Sequence, residues 1–284
     1  MALGDGRPGP VAAAWTASVL AEHAQAERLR AGETQPDDYW KPFAHRFAPT
    51  KNDGGGTDPG LEAILRLVRP ADTVLDVGAG GGRIAIPVAQ KCKAVVAVEP
   101  SESMRGRMQE QAAKWGVRNV EISASTWEDA EVAKADVVIC AHVMYTVRDP
   151  VRFIRKLESH ARRVVAVIVF DQPAVSQYFP LWPLVHGEER MRLPCMAELE
   201  QLLVELRIVH DKEELPAREA RGFENADMAV AESMARLFVA PGTPKAAKLD
   251  SAVRAALEPH GAGVRFKWSQ PQRPWLVTWK PSTR

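Results

Sequence analysis

Short runs of apolar residues alternate with amphipathic stretches along the middle of the chain. Five runs rich in β-branched and aliphatic residues are bounded by glycine, proline or polar residues, which is typical of buried strands. They lie at 74–77, 94–98, 119–123, 135–140 and 164–170. Before the first run, Leu61, Ile64 and Val68 recur at helical spacing and predict a helix with one buried face. Strands that alternate with helices in this way predict an α/β fold with a mostly parallel sheet.

The run after the first predicted strand is the strongest chemical signal in the chain. Asp76 lies near the end of that strand, and glycine occupies positions 78, 80, 81 and 82. Glycine allows sharp turns and close approach of a ligand to the backbone. The second strand then ends at Glu99. Such a unit is typical of a nucleoside site, in which loop amides face the polar end and the carboxylate binds the ribose hydroxyls. A glycine-rich loop that binds no ligand is the alternative.

The order of these residues separates two classes of cofactor. A dinucleotide site follows G-x-G-x-x-G/A, whereas here Arg83 holds the sixth position and Asp76 precedes the first glycine. The run 76–82, D-V-G-A-G-G-G, resembles instead the D-x-G-x-G-x-G loop of the class I S-adenosylmethionine-dependent methyltransferases. The resemblance covers residues 58–171 and the final strand. It implies an enzyme that uses S-adenosyl-L-methionine and releases S-adenosyl-L-homocysteine.

The resemblance also implies the architecture of the core, a Rossmann-like, doubly wound, mostly parallel sheet of seven strands. Outside the core, the residue pattern predicts an N-terminal helical cap and a C-terminal helical insertion. Further helices are predicted at 11–31, 198–206, 225–239 and 245–259, and strands at 208–215, 264–268 and 275–280, the last one antiparallel. The aromatic stretch 178–188 is expected to be an irregular wall. The predicted units are an N-terminal helical and lid segment at 1–57, a cofactor-binding core at 58–175, a helical substrate-side insertion with a sixth strand at 176–262, and C-terminal strands that complete the sheet at 263–284.

The residues that would meet the cofactor follow from the same resemblance. Asp76 is associated with its amino-acid end, Glu99 with the ribose and Met104 with the adenine. The implied set is Asp76, Gly78, Ala79, Gly80, Gly82, Glu99, Pro100, Met104, Thr126, Trp127, Glu128, Ala141, Trp40 and Arg46. Trp127 offers a flat apolar surface to a purine, with a core tryptophan as the alternative. Trp40 and Arg46, with Phe43, form an aromatic patch that is either a lid or only a segment held by apolar burial.

Candidate catalytic residues follow the fourth predicted strand. Ligands of open parallel sheets bind outside the carboxyl ends of the strands. His142 and Tyr145 are therefore expected where a methyl acceptor meets the sulfonium. His142 is predicted to act as a general base or to position the acceptor, with Tyr145 and Glu188 as weaker candidates. A purely structural histidine is the alternative.

Composition narrows the class of acceptor. The 37 basic and 36 acidic residues give a net charge of +1, and without a basic run no nucleic-acid partner is expected. No run approaches the roughly 18 apolar residues of a membrane span. Without a signal-peptide pattern or a cysteine motif, a cytoplasmic location and no metal are expected. We therefore expect a methyltransferase acting on a small-molecule acceptor. An RNA or protein methyltransferase and a non-catalytic S-adenosylmethionine-binding protein are the alternatives.

Overall fold

The computed structural model describes residues 9–30, 38, 40–41, 47–49, 58–219 and 222–282. Phe43 and Arg46 of the predicted lid lie outside the described residues. The described strands are β1 (Thr73–Val77), β2 (Ala94–Val98), β3 (Val120–Ser123), β4 (Ala135–Ala141), β5 (Ala161–Phe170), β6 (Asp211–Glu214), β7 (Leu257–His260), β8 (Gly263–Phe266) and β9 (Pro274–Trp279). The described α-helices are α1 (Pro10–Arg30), α2 (Pro59–Leu67), α3 (Ala85–Ala89), α4 (Glu102–Trp115), α5 (Pro150–His160), α6 (Trp182–His186), α7 (Met196–Glu205), α8 (Ala226–Arg236) and α9 (Pro244–Ala256).

One seven-stranded sheet organises the chain, in the order β3-β2-β1-β4-β5-β9-β6. The first five strands are parallel, and β9 runs antiparallel between β5 and β6. The direction of winding reverses between β1 and β4, so the carboxyl ends of these two neighbours border a crevice. The predicted doubly wound, mostly parallel sheet and its antiparallel final strand are confirmed.

Helices cover both faces of the sheet, because its central strands carry almost only apolar residues. On one face α1, α5 and α7 bury Trp15, Leu157 and Leu202. On the other face α2 and α3 bury Ile64 and Ile86. Among the described residues, no helix combines the length and apolar character needed to cross a lipid bilayer.

Side-chain caps decide where three of these helices begin. Asp58 accepts the N–H of Gly60 at 3.1 Å, and Pro59 occupies the first turn of α2. Ser101 accepts a backbone N–H of α4, and Asp149 does the same for α5. Because α4 follows β2 directly, its capped end lies at the carboxyl edge of the sheet. The first turn of α2 reaches the same edge, where a Cβ on Gly60 would lie 3.2 Å from a side chain of β5.

The C-terminal third corrects two expectations. The strand predicted at 264–268 does not join the main sheet, because β8 pairs with β7 in a separate hairpin and the preceding helix ends at Ala256. The stretch 178–188 is not irregular, since a 3₁₀ helix (Ala174–Leu181) continues into α6. The physical reason is a second apolar core, in which Tyr178, Trp182, Leu249 and Phe266 are buried together.

Candidate functional site

The glycine loop turns sharply between β1 and α3. Gly78, Gly80 and Gly82 have φ values of 71°, 56° and 85°, in the left-handed region that side chains disfavour. The N–H groups of Gly78 and Ala79 both donate to the Val98 carbonyl, at 2.8 and 3.2 Å. These bonds hold the loop against the end of β2, at the carboxyl edge of the sheet.

Two of the glycines have no room for a side chain, because other side chains of the protein pack against them. A Cβ on Gly78 would lie 2.4 Å from Cγ2 of Val143, and one on Gly82 would lie 2.8 Å from Cγ of Met108. Both distances are far inside van der Waals contact. Gly78 and Gly82 are therefore required for packing within the protein, whether or not a ligand contacts the loop.

Phe47 lies over the other two glycines. A Cβ on Gly81 would lie 2.8 Å from the carbonyl oxygen of Phe47, so this backbone packs directly on the loop. At Gly80 the nearest atoms are Cβ of Phe47 at 3.9 Å and Sδ of Met104 at 4.0 Å, which is ordinary contact. Trp40 packs edge-on against Phe47, with ring centroids 5.4 Å apart. The described part of the aromatic patch thus adjoins the loop.

Asp38 fastens this segment to the start of α4. Its Oδ2 accepts the N–H of Ser103 at 2.9 Å, and its two oxygens accept the Ser101 hydroxyl at 2.8 and 3.0 Å. Burial opposes ionisation, but the hydrogen bonds from Ser103 and Ser101 outweigh it and lower the pKa of Asp38 to about 2. The sequence analysis missed this role, since nothing local marks an aspartate as partner to a helix 63 positions along the chain.

Glu99 is held against the glycine loop at the end of β2. Its Oε2 accepts the N–H of Gly80 at 2.8 Å, and its Oε1 accepts the N–H of Ser101 at 2.9 Å. Burial raises the pKa of Glu99, while the two N–H donors act in the opposite direction. Each oxygen keeps a second lone pair, so the oriented carboxylate can still accept hydroxyl groups from a ligand.

Asp76 is a buried carboxylate with an unmet hydrogen-bonding need. Only 2% of its surface is exposed, and its Oδ2 has no hydrogen-bond partner among the described residues. Burial raises the pKa of Asp76 to about 7, although the positive charge of Arg83 opposes the shift. A buried oxygen without a partner is costly, so a donor from a ligand would be stabilising here.

His142 and Tyr145 lie together at the end of β4. His142 has a φ of 61°, and its backbone N–H donates to the Ile168 carbonyl at 2.7 Å. This turn stacks the imidazole on the ring of Phe170, with centroids 4.2 Å apart. Nδ1 of His142 lies 3.1 Å from the Tyr145 hydroxyl oxygen.

The Tyr145 hydroxyl selects the tautomer of the imidazole. Its oxygen accepts the N–H of Phe170 at 2.7 Å, so its single proton is free to donate to Nδ1 of His142. Burial lowers the pKa of His142 well below its usual range, and the charges of Arg83 and Arg218 act in the same direction. Burial also raises the pKa of Tyr145. The imidazole is therefore neutral at neutral pH, and with Nδ1 as acceptor its proton lies on Nε2.

A polar cluster that the sequence analysis missed adjoins His142. Arg83 leaves the glycine loop and forms an ion pair with Asp58, with 19% and 14% of the two side chains exposed. Arg218 follows β6 and is partly buried. Burial lowers its pKa, while the charge of Asp58 raises it. The three members of this cluster come from three separate segments, so no local pattern in the sequence could have predicted it.

The loop after β3 places its predicted residues differently. Thr126 is exposed and donates its hydroxyl to Asp129 at 2.8 Å, and Glu128 is exposed. Trp127 is 4% exposed, its indole N–H donates to the Phe153 carbonyl, and Lys156 lies over its ring. This position agrees with the core alternative and not with a purine platform.

The other predicted positions divide between the crevice and the surface. Pro100 follows Glu99 two residues after the end of β2, and Ala141 is the last residue of β4, next to His142. Glu188 is instead paired with Arg28 of α1, at 2.6 and 2.8 Å. Its expected part as a weaker candidate base is therefore corrected to a surface ion pair.

A comparison with protein families is consistent with this geometry. Residues 32–206 match the model of a family described as a methyltransferase domain. The match takes in more than half of the chain. The chain belongs to this methyltransferase family.

Solved methyltransferases share the fold at low identity. A putative methyltransferase from an antibiotic biosynthesis pathway of Anabaena variabilis has a TM-score of 0.54 and 18% identity, covering 77% of this chain and 95% of its own. A putative methyltransferase from Bacillus halodurans has a TM-score of 0.53 and 15% identity, covering 78% of this chain and 99% of its own.

One curated relative matches only in part. A probable ribosomal RNA small subunit methyltransferase A from Methanosphaera stadtmanae is 29% identical over 86 residues. The alignment covers 30% of this chain and 31% of the archaeal protein. The methyltransferase described here thus spans about a third of that relative.

The site fits the cofactor of the family. S-adenosylmethionine is the cofactor of this methyltransferase, and the predicted enzyme class is confirmed. A nucleoside bearing an amino acid would use three features of this site. These are the oxygen of Asp76 without a described partner, the remaining lone pairs of Glu99, and the ordinary van der Waals distances around Gly80.

Proposed function

We propose that this methyltransferase transfers the methyl group of S-adenosylmethionine to a small-molecule acceptor that binds beside His142. The observation that carries the proposal is that a nucleoside-type loop and the His142–Tyr145 pair lie at one edge of the sheet, on neighbouring strands. The even balance of 37 basic and 36 acidic residues supports a small acceptor over a nucleic acid. The fold neighbour from Anabaena variabilis, from an antibiotic biosynthesis pathway, is consistent with this class.

In the proposed binding mode, buried groups of the crevice orient the cofactor. Oδ2 of Asp76 accepts from the ammonium of the amino-acid end, and Glu99 accepts from the ribose hydroxyls. Met104, beside Gly80, contacts the adenine. The remaining members of the proposed set are Gly78, Ala79, Gly82, Pro100, Thr126, Glu128, Ala141, Trp40 and Arg46.

The chain's own part in the reaction is alignment. The bound cofactor supplies a methyl group on a sulfonium whose leaving thioether is neutral. Holding an acceptor in line behind that carbon can contribute roughly 7–11 kcal/mol. We assign His142 to this task through its Nε2–H, which donates to a polar atom of the acceptor near the reacting atom and leaves the attacking lone pair free. The opposite tautomer would make Nε2 a base, but it would leave the proton of buried Tyr145 without an acceptor.

Two measurements test the proposed function in sequence. Titration calorimetry with S-adenosylhomocysteine is expected to give saturable binding, and Glu99→Ala is expected to weaken it about tenfold or more, because a charge-assisted pair of hydrogen bonds is lost. Methyl-labelled S-adenosylmethionine is then incubated with a small-metabolite extract and with bulk RNA. We expect the label in the low-molecular-weight fraction.

Other outcomes of the labelling would overturn the proposal. Label in RNA that disappears after nuclease treatment would establish the RNA alternative, which the short alignment with the archaeal ribosomal RNA methyltransferase favours. Binding of S-adenosylhomocysteine without label in either fraction would contradict the proposed acceptor class, and a further incubation with a protein extract separates a protein methyltransferase from a non-catalytic binding protein.

A further inference from the structure

The topology brings Arg218 to the same edge of the sheet as His142. Its N–H and carbonyl pair with Gln272 at 2.8 Å each, beyond the end of the β6–β9 ladder. In the adjoining pair of strands, Pro274 lies opposite Phe170, the last residue of β5. The extension that carries Arg218 therefore lies past the carboxyl end of β5, where Phe170 stacks on His142.

The charges around His142 do not balance. Arg83 is neutralised by its ion pair with Asp58. Within the part of the chain that the structure describes, Arg218 forms neither a side-chain hydrogen bond nor an ion pair. Its charge nevertheless reaches the imidazole, because it contributes to the lowered pKa of His142. Of the described groups whose charges act on the neutral imidazole, two are arginines and one is a carboxylate, Asp58, so positive charge is in excess by one.

Among the described residues Arg218 feels the charge of Asp58 but has no ion pair of its own, which is an expensive arrangement for a partly buried guanidinium. Burial removes the water that would solvate the charge, and only a facing anion or an array of acceptors compensates for that loss. The planar fork of an arginine matches the two oxygens of a carboxylate or phosphate. The position of Arg218 thus suits a ligand that brings such oxygens.

We propose that Arg218 binds an anionic group, a carboxylate or a phosphate, of the methyl acceptor while His142 contacts the same molecule near its reacting atom. The acceptor of this methyltransferase is then a small organic anion. This inference rests on the proposed function, because it assumes that the acceptor occupies the space beside His142. In this proposal Arg218 acts as a specificity-determining residue for the acceptor.

The test uses three probes that share one ring and differ in charge. Benzoate, phenyl phosphate and benzamide are titrated into the full chain saturated with S-adenosylhomocysteine, with binding followed by ligand-observed NMR. We expect benzoate or phenyl phosphate to bind about tenfold or more tightly than benzamide. The anion that binds better identifies the group. Arg218→Gln is expected to remove the difference, and Arg118→Gln, at an exposed arginine before β3, to retain it.

The outcomes separate this inference from the function on which it rests. Equal affinity for all three probes, or an unchanged anion preference in R218Q, would overturn the role of Arg218. Should R218Q not fold, Arg218→Lys decides, since loss of the fork is expected to weaken anion binding several-fold and unchanged binding contradicts the inference. Failure of the wild-type chain to bind S-adenosylhomocysteine would instead contradict the proposed function. An anion preference can still be measured without the cofactor product.

Discussion

The hydroxyl oxygen of Tyr145 lies 3.1 Å from Nδ1 of His142 and 2.7 Å from the backbone nitrogen of Phe170. One side chain thereby joins the end of β4 to the end of β5. The two contacts determine the direction of both hydrogen bonds, because the hydroxyl has only one proton. From the sequence, His142 could be structural or functional. The two hydrogen bonds place the proton of its imidazole on Nε2, so the side chain has a defined donor.

Replacement of His142 is expected to reduce turnover and to spare cofactor binding. His142→Ala should lower kcat by about 10- to 100-fold, because the acceptor loses one orienting hydrogen bond, and should leave the affinity for S-adenosylhomocysteine within a few-fold. His142→Gln retains an N–H donor but no basic nitrogen. Partial recovery of kcat in H142Q supports positioning, whereas equal loss in both variants supports a general base. Full activity of H142A would contradict both roles.

The raised pKa of Asp76 predicts a pH-dependent affinity for the cofactor product. With a pKa of about 7 in the free protein, this carboxyl is largely protonated at pH 6 and ionised at pH 8. An ammonium group binds the carboxylate, so binding should release a proton and tighten as the pH rises from 6 to 8. Calorimetry in buffers of different ionisation enthalpy measures that proton. Asp76→Asn should bind more weakly and with a flatter pH profile, and an unchanged profile would contradict the assignment.

The same carboxyl gives the free protein a pH-dependent stability of known sign. Because the folded pKa of Asp76 lies above its ordinary value of 3.8, the folded state holds a proton that the unfolded chain releases. The free energy of unfolding contributed by this group therefore falls as the pH rises from about 4 to about 7 and then levels off. Urea unfolding of the wild type and D76N across this range measures the slope. D76N should lose that part of it, and an equal slope in both proteins would refute the prediction.

The close approach of Gly78 and Val143 predicts unequal costs within the glycine loop. In Gly78→Ala the new Cβ would lie 2.4 Å from Cγ2 of Val143, and the residue has a φ of 71°. In Gly80→Ala the nearest atom to the new Cβ, Cβ of Phe47, lies at 3.9 Å, an ordinary van der Waals distance. Both variants pay roughly 1–2 kcal/mol for a left-handed side chain, and we expect about 1–3 kcal/mol more for G78A from the clash. Urea unfolding checks the order.

A double-mutant cycle tests the cause of that difference. If the clash with Val143 is responsible, Val143→Ala should recover part of the stability lost in G78A but none of that lost in G80A. Additive effects of G78A and V143A would show that the backbone conformation alone sets the cost.

The parallel core was predictable because its information is local. Apolar runs such as β4 and β5, caps such as Asp58, and the acid at Glu99 all appear in sequence order and act on neighbouring residues. The same holds for the site residues on strand ends, since the carboxyl ends of parallel strands meet at one edge. That rule alone predicts that His142 and Tyr145 lie at this edge, and their role in the reaction stays a prediction.

The parts that the sequence did not disclose depend on pairing between distant segments. Trp127 has the flat apolar side chain expected of a purine-binding residue, but it is buried against α5 and packs in the core. Residues 264–268 have the composition of a strand. However, Phe266 packs in the separate core of the insertion, so β8 pairs with β7 and not with the main sheet. Arg218 has no local signal, because its position depends on the bridge to Gln272.

The contact between Asp38 and α4 predicts that the N-terminal segment assists cofactor binding. Asp38→Ala removes the acceptor for Ser101 and Ser103 and should weaken the packing of Phe47 on the glycine loop. We expect S-adenosylhomocysteine to bind several-fold more weakly. The pKa of Asp38, about 2, keeps it ionised, so the wild-type contact should persist down to about pH 4.

A matched control separates this effect from general loss of helix capping. Asp149→Ala deletes the cap of α5, whose carboxylate accepts the N–H of Arg152 at 3.0 Å but has no described contact with the N-terminal segment. Both variants should lose about 1 kcal/mol of stability in urea unfolding. Only D38A should lose affinity for S-adenosylhomocysteine. Equal affinity in the two variants would show that the segment packs on the loop without contributing to the cofactor site.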